Sequence, residues 1–159
     1  MTLENLNILD ATAKTTALRH CCGSQVWVDR MLAGFPYSDQ PSLLAAAARN
    51  WRQCSPADWL EAFHHHPKIG ARTTDATAAA EQSGASSAPT DILQRLATDN
   101  QRYEERFGYI FIVCATGKSA YEMLGILNTR LDNPTDEELR IAMTEQEKIT
   151  LLRLQKLLA

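Results

Sequence analysis

The stretch Tyr109-Ile110-Phe111-Ile112-Val113-Cys114-Ala115 decides the fold class. Its β-branched and aromatic residues give it the propensity of a strand, yet no second run of this kind occurs in the 159 residues. A lone strand has no ladder in which to satisfy its backbone N–H and C=O groups. The run is therefore expected either as an extended buried segment or as the first turn of a helix imposed by packing. In both cases its main chain needs other partners, which makes it a candidate for contacting a ligand.

On either side the sequence reads as helix. Thr90 can cap a helix with the stripe Ile92, Leu93, Leu96, Tyr103 and Phe107, which Gly108 would end. After Gly117, Ser119 opens a helix bearing Tyr121, Leu124, Ile126, Leu127 and Leu131, and Asn133-Pro134 closes it. Thr135 and Glu138 have the T-x-x-E spacing of a capping box for a last helix that carries Leu139, Ala142, Met143, Ile149, Leu152 and Leu158.

Toward the N-terminus, Ser24 caps a helix with Val26, Trp27, Met31 and Leu32 on one side, closed by Gly34 and Pro36. Asp39 with Pro41 begins the next, with Leu43, Leu44, Ala47, Ala48 and Trp51 at helical spacing. Ser55-Pro56 starts a short helix that buries Trp59, Leu60 and Phe63 and stops near His66, because Pro67 disfavours the helical conformation before it. Lys68 to Thr90 is small and polar, a loop with one or two helical turns over Ala76–Gln82. The expected architecture is all-α, a single domain over residues 1–159 built as a bundle of seven or eight helices.

Composition agrees with one globular domain: 45% of residues are hydrophobic and 22% charged, far from the make-up of a disordered chain. Sixteen Lys+Arg against nineteen Asp+Glu give a net charge of −3, with no basic stripe to neutralise a run of phosphates, so nucleic acid is not an expected partner. Cys21, Cys22, Cys54 and Cys114 form no C-x-x-C pair and read as thiols in a reducing compartment. The first residues lack the basic and apolar regions of a secretory signal, and no apolar run is long enough to span a bilayer. A soluble, cytoplasmic protein without membrane partners is expected.

The chemistry-bearing residues are few. His64-His65-His66-Pro67 invites a zinc reading, but neighbouring helical residues point about 100° apart, the wrong spacing for shared ligands, so no metal site is assigned. Two of these histidines are expected in solvent. His66, fixed by the following proline, is the candidate general acid or base, against the plainer reading of a satisfied histidine at a helix end. Glu81-Gln82 places a carboxylate beside an amide in a segment of little bulk, and gains meaning only if it faces His66. Arg153, set among Leu151, Leu152 and Leu154, is either a structural or snorkelling arginine or a clamp for a carboxylate. No phosphate loop and no nucleophile elbow is present. The residues alone support an all-α protein with a His/Glu/Gln/Arg site for a small polar anion.

Together these residues resemble the family of 2-oxo-4-hydroxy-4-carboxy-5-ureidoimidazoline (OHCU) decarboxylases. The similarity runs from Cys22-Gly23-Ser24 with Trp27-Val28, through Trp59-Leu60-Glu61-Ala62-Phe63 and His66-Pro67-Lys68-Ile69-Gly70, to Glu81-Gln82-Ser83-Gly84-Ala85. It continues in Arg106-Phe107-Gly108-Tyr109 and the run after it, Arg130-Leu131-Asp132-Asn133, and Leu152-Arg153-Leu154. The resemblance implies a cofactor-free decarboxylase of urate breakdown that converts this small-molecule substrate into (S)-allantoin, on an all-helical fold assembled as a homodimer.

It further implies His66 and Glu81 as catalytic residues. Substrate contacts would come from Pro67, Gln82, the main chain of Phe111, Ile112, Val113, Cys114 and Ala115, and Arg153. Ala78 stands at a pocket position where many members carry serine, so a hydroxyl contact would come from water or from Ser83. A reading from another class is a non-catalytic helical binding or scaffold module on the same fold.

Overall fold

The computed structural model describes residues 1–70 and 75–159. Residues 71–74, within the loop read over Lys68–Thr90, lie outside the described residues. Among the described residues there are ten α-helices and no strand. They are α1 (Leu3–Ile8), α2 (Ala11–Cys21), α3 (Gln25–Ala33), α4 (Gln40–Arg52), α5 (Pro56–Phe63), α6 (Ala76–Glu81), α7 (Ser83–Ser86), α8 (Thr90–Phe107), α9 (Ala120–Arg130) and α10 (Thr135–Leu157). The all-α expectation holds, with ten helices in place of seven or eight. The additions are α1, α2 and the single turn α7. In α2 only Leu18 and Cys21 are buried, too few to print a stripe on the sequence.

The chain divides into two compact units, Met1–Ala62 with Glu147–Ala159, and Phe63–Gln146. In the first, helix starts follow side-chain oxygens. Asp10 accepts the Ala13 N–H at 2.8 Å, Ser24 that of Trp27 at 3.3 Å, and Asp39 that of Ser42 at 2.7 Å. The core is built on Leu6, Leu18, Trp27, Val28, Met31, Leu43 and Trp51, all fully buried. Val26 and Leu32 are only partly covered, because the buried stripe of α3 is rotated toward Trp27, Val28 and Met31. Indole N–H groups find main-chain acceptors: Trp27 donates to the Ala47 carbonyl and Trp59 to that of Trp51, each at 3.0 Å. A side chain at Gly34 would collide with the Tyr37 ring, whose hydroxyl donates to the Met31 carbonyl at 2.9 Å. All four cysteines of the chain are buried and none is in a disulfide. Burial pushes the Cys22 thiol up to about 12.

The second unit is organised around charge. Arg130, at the end of α9, and Glu138, in the first turns of α10, are both buried and face each other as a fork. Nε lies 2.9 Å from Oε1 and Nη2 lies 2.8 Å from Oε2. The Tyr103 hydroxyl of α8 donates to Glu138 at 2.5 Å, and Asn133 donates to the other carboxylate oxygen at 3.2 Å. Burial draws the Arg130 pKa down, but Glu138 and Tyr103 outweigh it and hold the guanidinium above its ordinary value. Burial also pushes the Tyr103 phenol far up, so it stays a donor. Glu138 thus does not close a capping box on Thr135, because both of its oxygens are taken inside.

The remaining guanidinium nitrogen, Nη1, donates to the Ile112 carbonyl at 2.7 Å, with the guanidinium carbon 4.6 Å from the centre of the Phe111 ring. This resolves the β-like run. Residues 110–115 are neither strand nor helix, and Phe111 through Ala115 are all buried. Their main chain is held by side chains: Arg130 on Ile112, Glu145 accepting the Cys114 N–H at 3.2 Å, and Lys118 Nζ donating to the Cys114 carbonyl at 2.7 Å. Around them Phe63, Tyr103, Phe107, Tyr109 and Phe111 form one aromatic cluster, with Tyr103 and Phe111 edge to face at 5.4 Å.

Two further expectations are corrected in this unit. Thr90 is the first residue of α8 rather than its cap, since Pro89 holds the cap position with no side-chain bond. Tyr121 is 70% exposed, because Ala120, Met123, Leu124 and Leu127 supply the buried face of α9. The caps at Ser119 with Glu122, and at Gly108 in the left-handed region (φ 83°), are as read.

Removing one partner of the buried pair leaves the other charge uncompensated, which costs about 3–5 kcal/mol. Glu138→Gln is expected to lower the unfolding free energy by that amount with the slope preserved, so that the urea midpoint falls by that energy divided by the slope, and an unchanged midpoint would show that the pair is not needed for stability.

Candidate functional site

The second unit gathers most of the residues that the sequence marks. The turn after α5 closes with the His66 N–H on the Phe63 carbonyl at 3.2 Å, and Pro67 prevents the helix from continuing. His64 and His65 stand in solvent and His66 is half-buried. The His66 Nε2 lies 2.5 Å from Oε1 of Gln146, a fully buried residue of α10. Two residues past Lys68, the Gly70 N–H donates to the Gln82 side-chain oxygen at 3.1 Å. That bond ties the His66–Gly70 segment to the end of α6.

The α6 helix is set by Asp75, whose carboxylate accepts the N–H groups of Thr77 and Ala78. Glu81 ends the helix and is half-buried, while Ala78 is buried in its first turns. Gly84 follows where a Cβ would overlap the Lys118 carbonyl, so a larger residue could not bring the Glu81–Gly84 corner so close to the 114–118 turn. The closeness is also electrostatic. Burial raises the Cys114 pKa, the Lys118 ammonium opposes the rise, and the Glu145 and Glu81 carboxylates add to it.

His66, Gln82, Glu81 and the Cys114 main chain are therefore linked through Gly70, Gln146 and Glu145 within one compact unit. Arg153 belongs to the first unit, on the last turns of α10, where its Nη1 donates to the His20 carbonyl at 3.1 Å. Among the described residues no three His, Cys, Asp or Glu side chains gather as metal ligands would. Among the described residues no helix is long and apolar enough to cross a membrane.

Chemically, the arrangement offers an imidazole with a fixed neighbour, a half-buried carboxylate, an amide, and a stretch of main chain held away from sheet pairing. Those are the parts for proton transfer to a small polar molecule held largely by hydrogen bonds. A family model described as OHCU decarboxylase matches residues 7–155, nearly the whole chain.

The chain belongs to the OHCU decarboxylase family. Relatives agree with this. It is 30% identical over 161 residues to the 2-oxo-4-hydroxy-4-carboxy-5-ureidoimidazoline decarboxylase of Haloferax volcanii, covering 97% of this chain and 94% of that protein. It is 39% identical over 145 residues to the uric acid degradation bifunctional protein TTL of Arabidopsis thaliana, covering 86% of this chain but only 45% of that longer protein. A crystal structure of an OHCU decarboxylase in the presence of (S)-allantoin superposes with a TM-score of 0.81 at 39% identity, over 88% of this chain and 95% of that one. An (S)-allantoin synthase structure shares the fold at 18% identity, with a TM-score of 0.77 over 98% of this chain and 54% of that one.

Sequence reading missed the supports of this candidate site: Glu145, Gln146, Lys118 and Arg130. The signal available was the spacing Glu138, Ala142, Glu145, Ile149, which puts two carboxylates on the apolar stripe of α10. A carboxylate at a stripe position is buried with a partner or not at all.

A thiol held protonated by burial is a poor nucleophile. Cys114 is expected to resist iodoacetamide at pH 8 in the folded protein and to react once urea unfolds it, read by peptide mass spectrometry. Fast labelling of the native chain would contradict the raised pKa.

Proposed function

We propose that this chain decarboxylates 2-oxo-4-hydroxy-4-carboxy-5-ureidoimidazoline to (S)-allantoin and carbon dioxide in urate degradation. The observation that carries the reading is the family match over residues 7–155. The gathering of His66, Glu81, Gln82 and the Cys114 main chain in one unit supports the assignment of roles.

The carboxyl group leaves a carbon that sits beside unsaturated ring atoms. When the carbon–carboxyl bond breaks, its electron pair passes into those atoms and carbon dioxide departs, so no cofactor is required as an electron sink. The protein must orient that bond, stabilise the charge that develops, and return a proton on one face to give a single enantiomer. His66 is the acid or base that moves the proton. Glu81 binds and polarises the substrate hydroxyl, which ends as a carbonyl. Gln82 and the main chain of residues 111–115 fix the ureido and ring carbonyl groups, Pro67 walls the pocket, and Arg153 takes the carboxylate. Ala78 lines the pocket without a hydroxyl, so its contact passes to water or Ser83.

Residues 1–159 act as one functional domain in this proposal, because the matched family span draws on both compact units. A homodimer is proposed on the family resemblance, and a cytoplasmic location on cysteines that form no disulfide.

The test is circular dichroism of the product while urate oxidase and hydroxyisourate hydrolase generate the substrate in the cuvette. Wild-type protein is expected to produce the (S)-allantoin signal rapidly. His66→Ala should lose about 10²–10⁴ in rate with its helical spectrum unchanged. A signal from the wild type no faster than spontaneous decay would overturn the activity. Wild-type turnover by His66→Ala would overturn the residue.

A further inference from the structure

The family match says nothing about what holds the His66 ring. Its Nε2 is 2.5 Å from Gln146 Oε1, and Gln146 is wholly buried on the longest helix of the chain, α10. The contact is short, side chain to side chain, and joins residues 80 apart in sequence. A helix interior is a stiff mount, and the residue just before it, Glu145, accepts the Cys114 N–H at 3.2 Å. Consecutive residues of a helix project about 100° apart. One peptide unit of α10 therefore reaches the candidate acid or base with one side chain and the candidate substrate-binding main chain with the other.

We infer that Gln146 is a positioning residue that locks His66 with its proton on Nε2. An amide oxygen can only accept, so the ring nitrogen facing it must be the protonated one, and the lone pair of the neutral ring falls to Nδ1. The partner matters for a second reason. A carboxylate there would bind the imidazolium more strongly than the neutral ring, whereas an amide accepts from both with no net charge. The amide therefore holds the ring at Nε2 in either protonation state. Glu145 completes the arrangement by fixing the main chain against the same helix, so that histidine and backbone share a common frame.

The inference rests on the catalytic role proposed for His66, and the test separates the two. The full-length protein with ¹⁵N-labelled histidine is examined above the His66 titration, where the nitrogen shifts and their couplings to ring protons report which nitrogen carries the hydrogen. The wild type is expected to show one tautomer, protonated on Nε2. Gln146→Met, of similar bulk but a poor acceptor, should give a mixture of tautomers and a kcat about 10²-fold lower, with KM within about twofold. Gln146→Glu keeps an acceptor and loses the donor, and should restore the Nε2-protonated signature, while its charge favours the imidazolium and moves the pH profile of kcat to higher pH.

An Nδ1-protonated wild type overturns the inference, as does a Gln146→Met protein with wild-type tautomer and kcat. If Gln146→Glu fails in the same way as Gln146→Met while folded, the amide donates rather than accepts and the inference is wrong. Wild-type turnover by His66→Ala instead defeats the catalytic role while leaving the tautomer signature, which belongs to Gln146, intact.

Discussion

A guanidinium and a carboxylate sealed away from water must satisfy each other, and Arg130 with Glu138 does so through two short contacts. Taking two ions out of water is expensive, so the pair is retained here for more than its own energy. Arg130 has one nitrogen left over, and that nitrogen holds the Ile112 carbonyl. A β-prone run can thus cross a helical protein extended, without a sheet, because charged side chains replace the neighbouring strand. Tyr103 extends the same network into α8, so three helices and the extended segment answer to one carboxylate.

The rest of the second unit is hung from that segment. Its main chain is gripped from both sides, by Arg130 before Cys114 and by Glu145 and Lys118 at Cys114. Gly84 lets the Glu81 corner approach the same turn, and Gln82 reaches back to Gly70 beside the histidine run. The candidate site is assembled from helix ends and a held loop, with α10 supplying its stiffness, and none of these pieces would keep its distance alone.

Helix starts were the most legible feature of the sequence, since Ser24, Asp39 and Ser119 each act through a side-chain oxygen within three residues. The seven-residue run was legible as an anomaly with two possible forms, an extended segment or a helical turn, and only the long-range bonds of Arg130 and Glu145 select the extended one. Glu138 was misread because its spacing from Thr135 fits a cap as well as it fits a buried pair, and only long-range contacts choose between them. The first two helices escaped because their buried residues are few. At the site, His66, Glu81 and Gln82 could be named from type and neighbours, whereas Gln146 could not. A glutamine between two glutamates looks like a wet helix face, and its burial depends on a turn 80 residues away.

The extended segment has one further consequence. Seven consecutive residues of strand-forming character, with no charge and no proline, are the composition that stacks into fibrils when left uncovered. In the native chain the segment is sheathed by side chains that bond its backbone crosswise, so it offers no open edge to a second molecule. The same ionic clasp that shapes the fold therefore also keeps its most adhesive stretch covered.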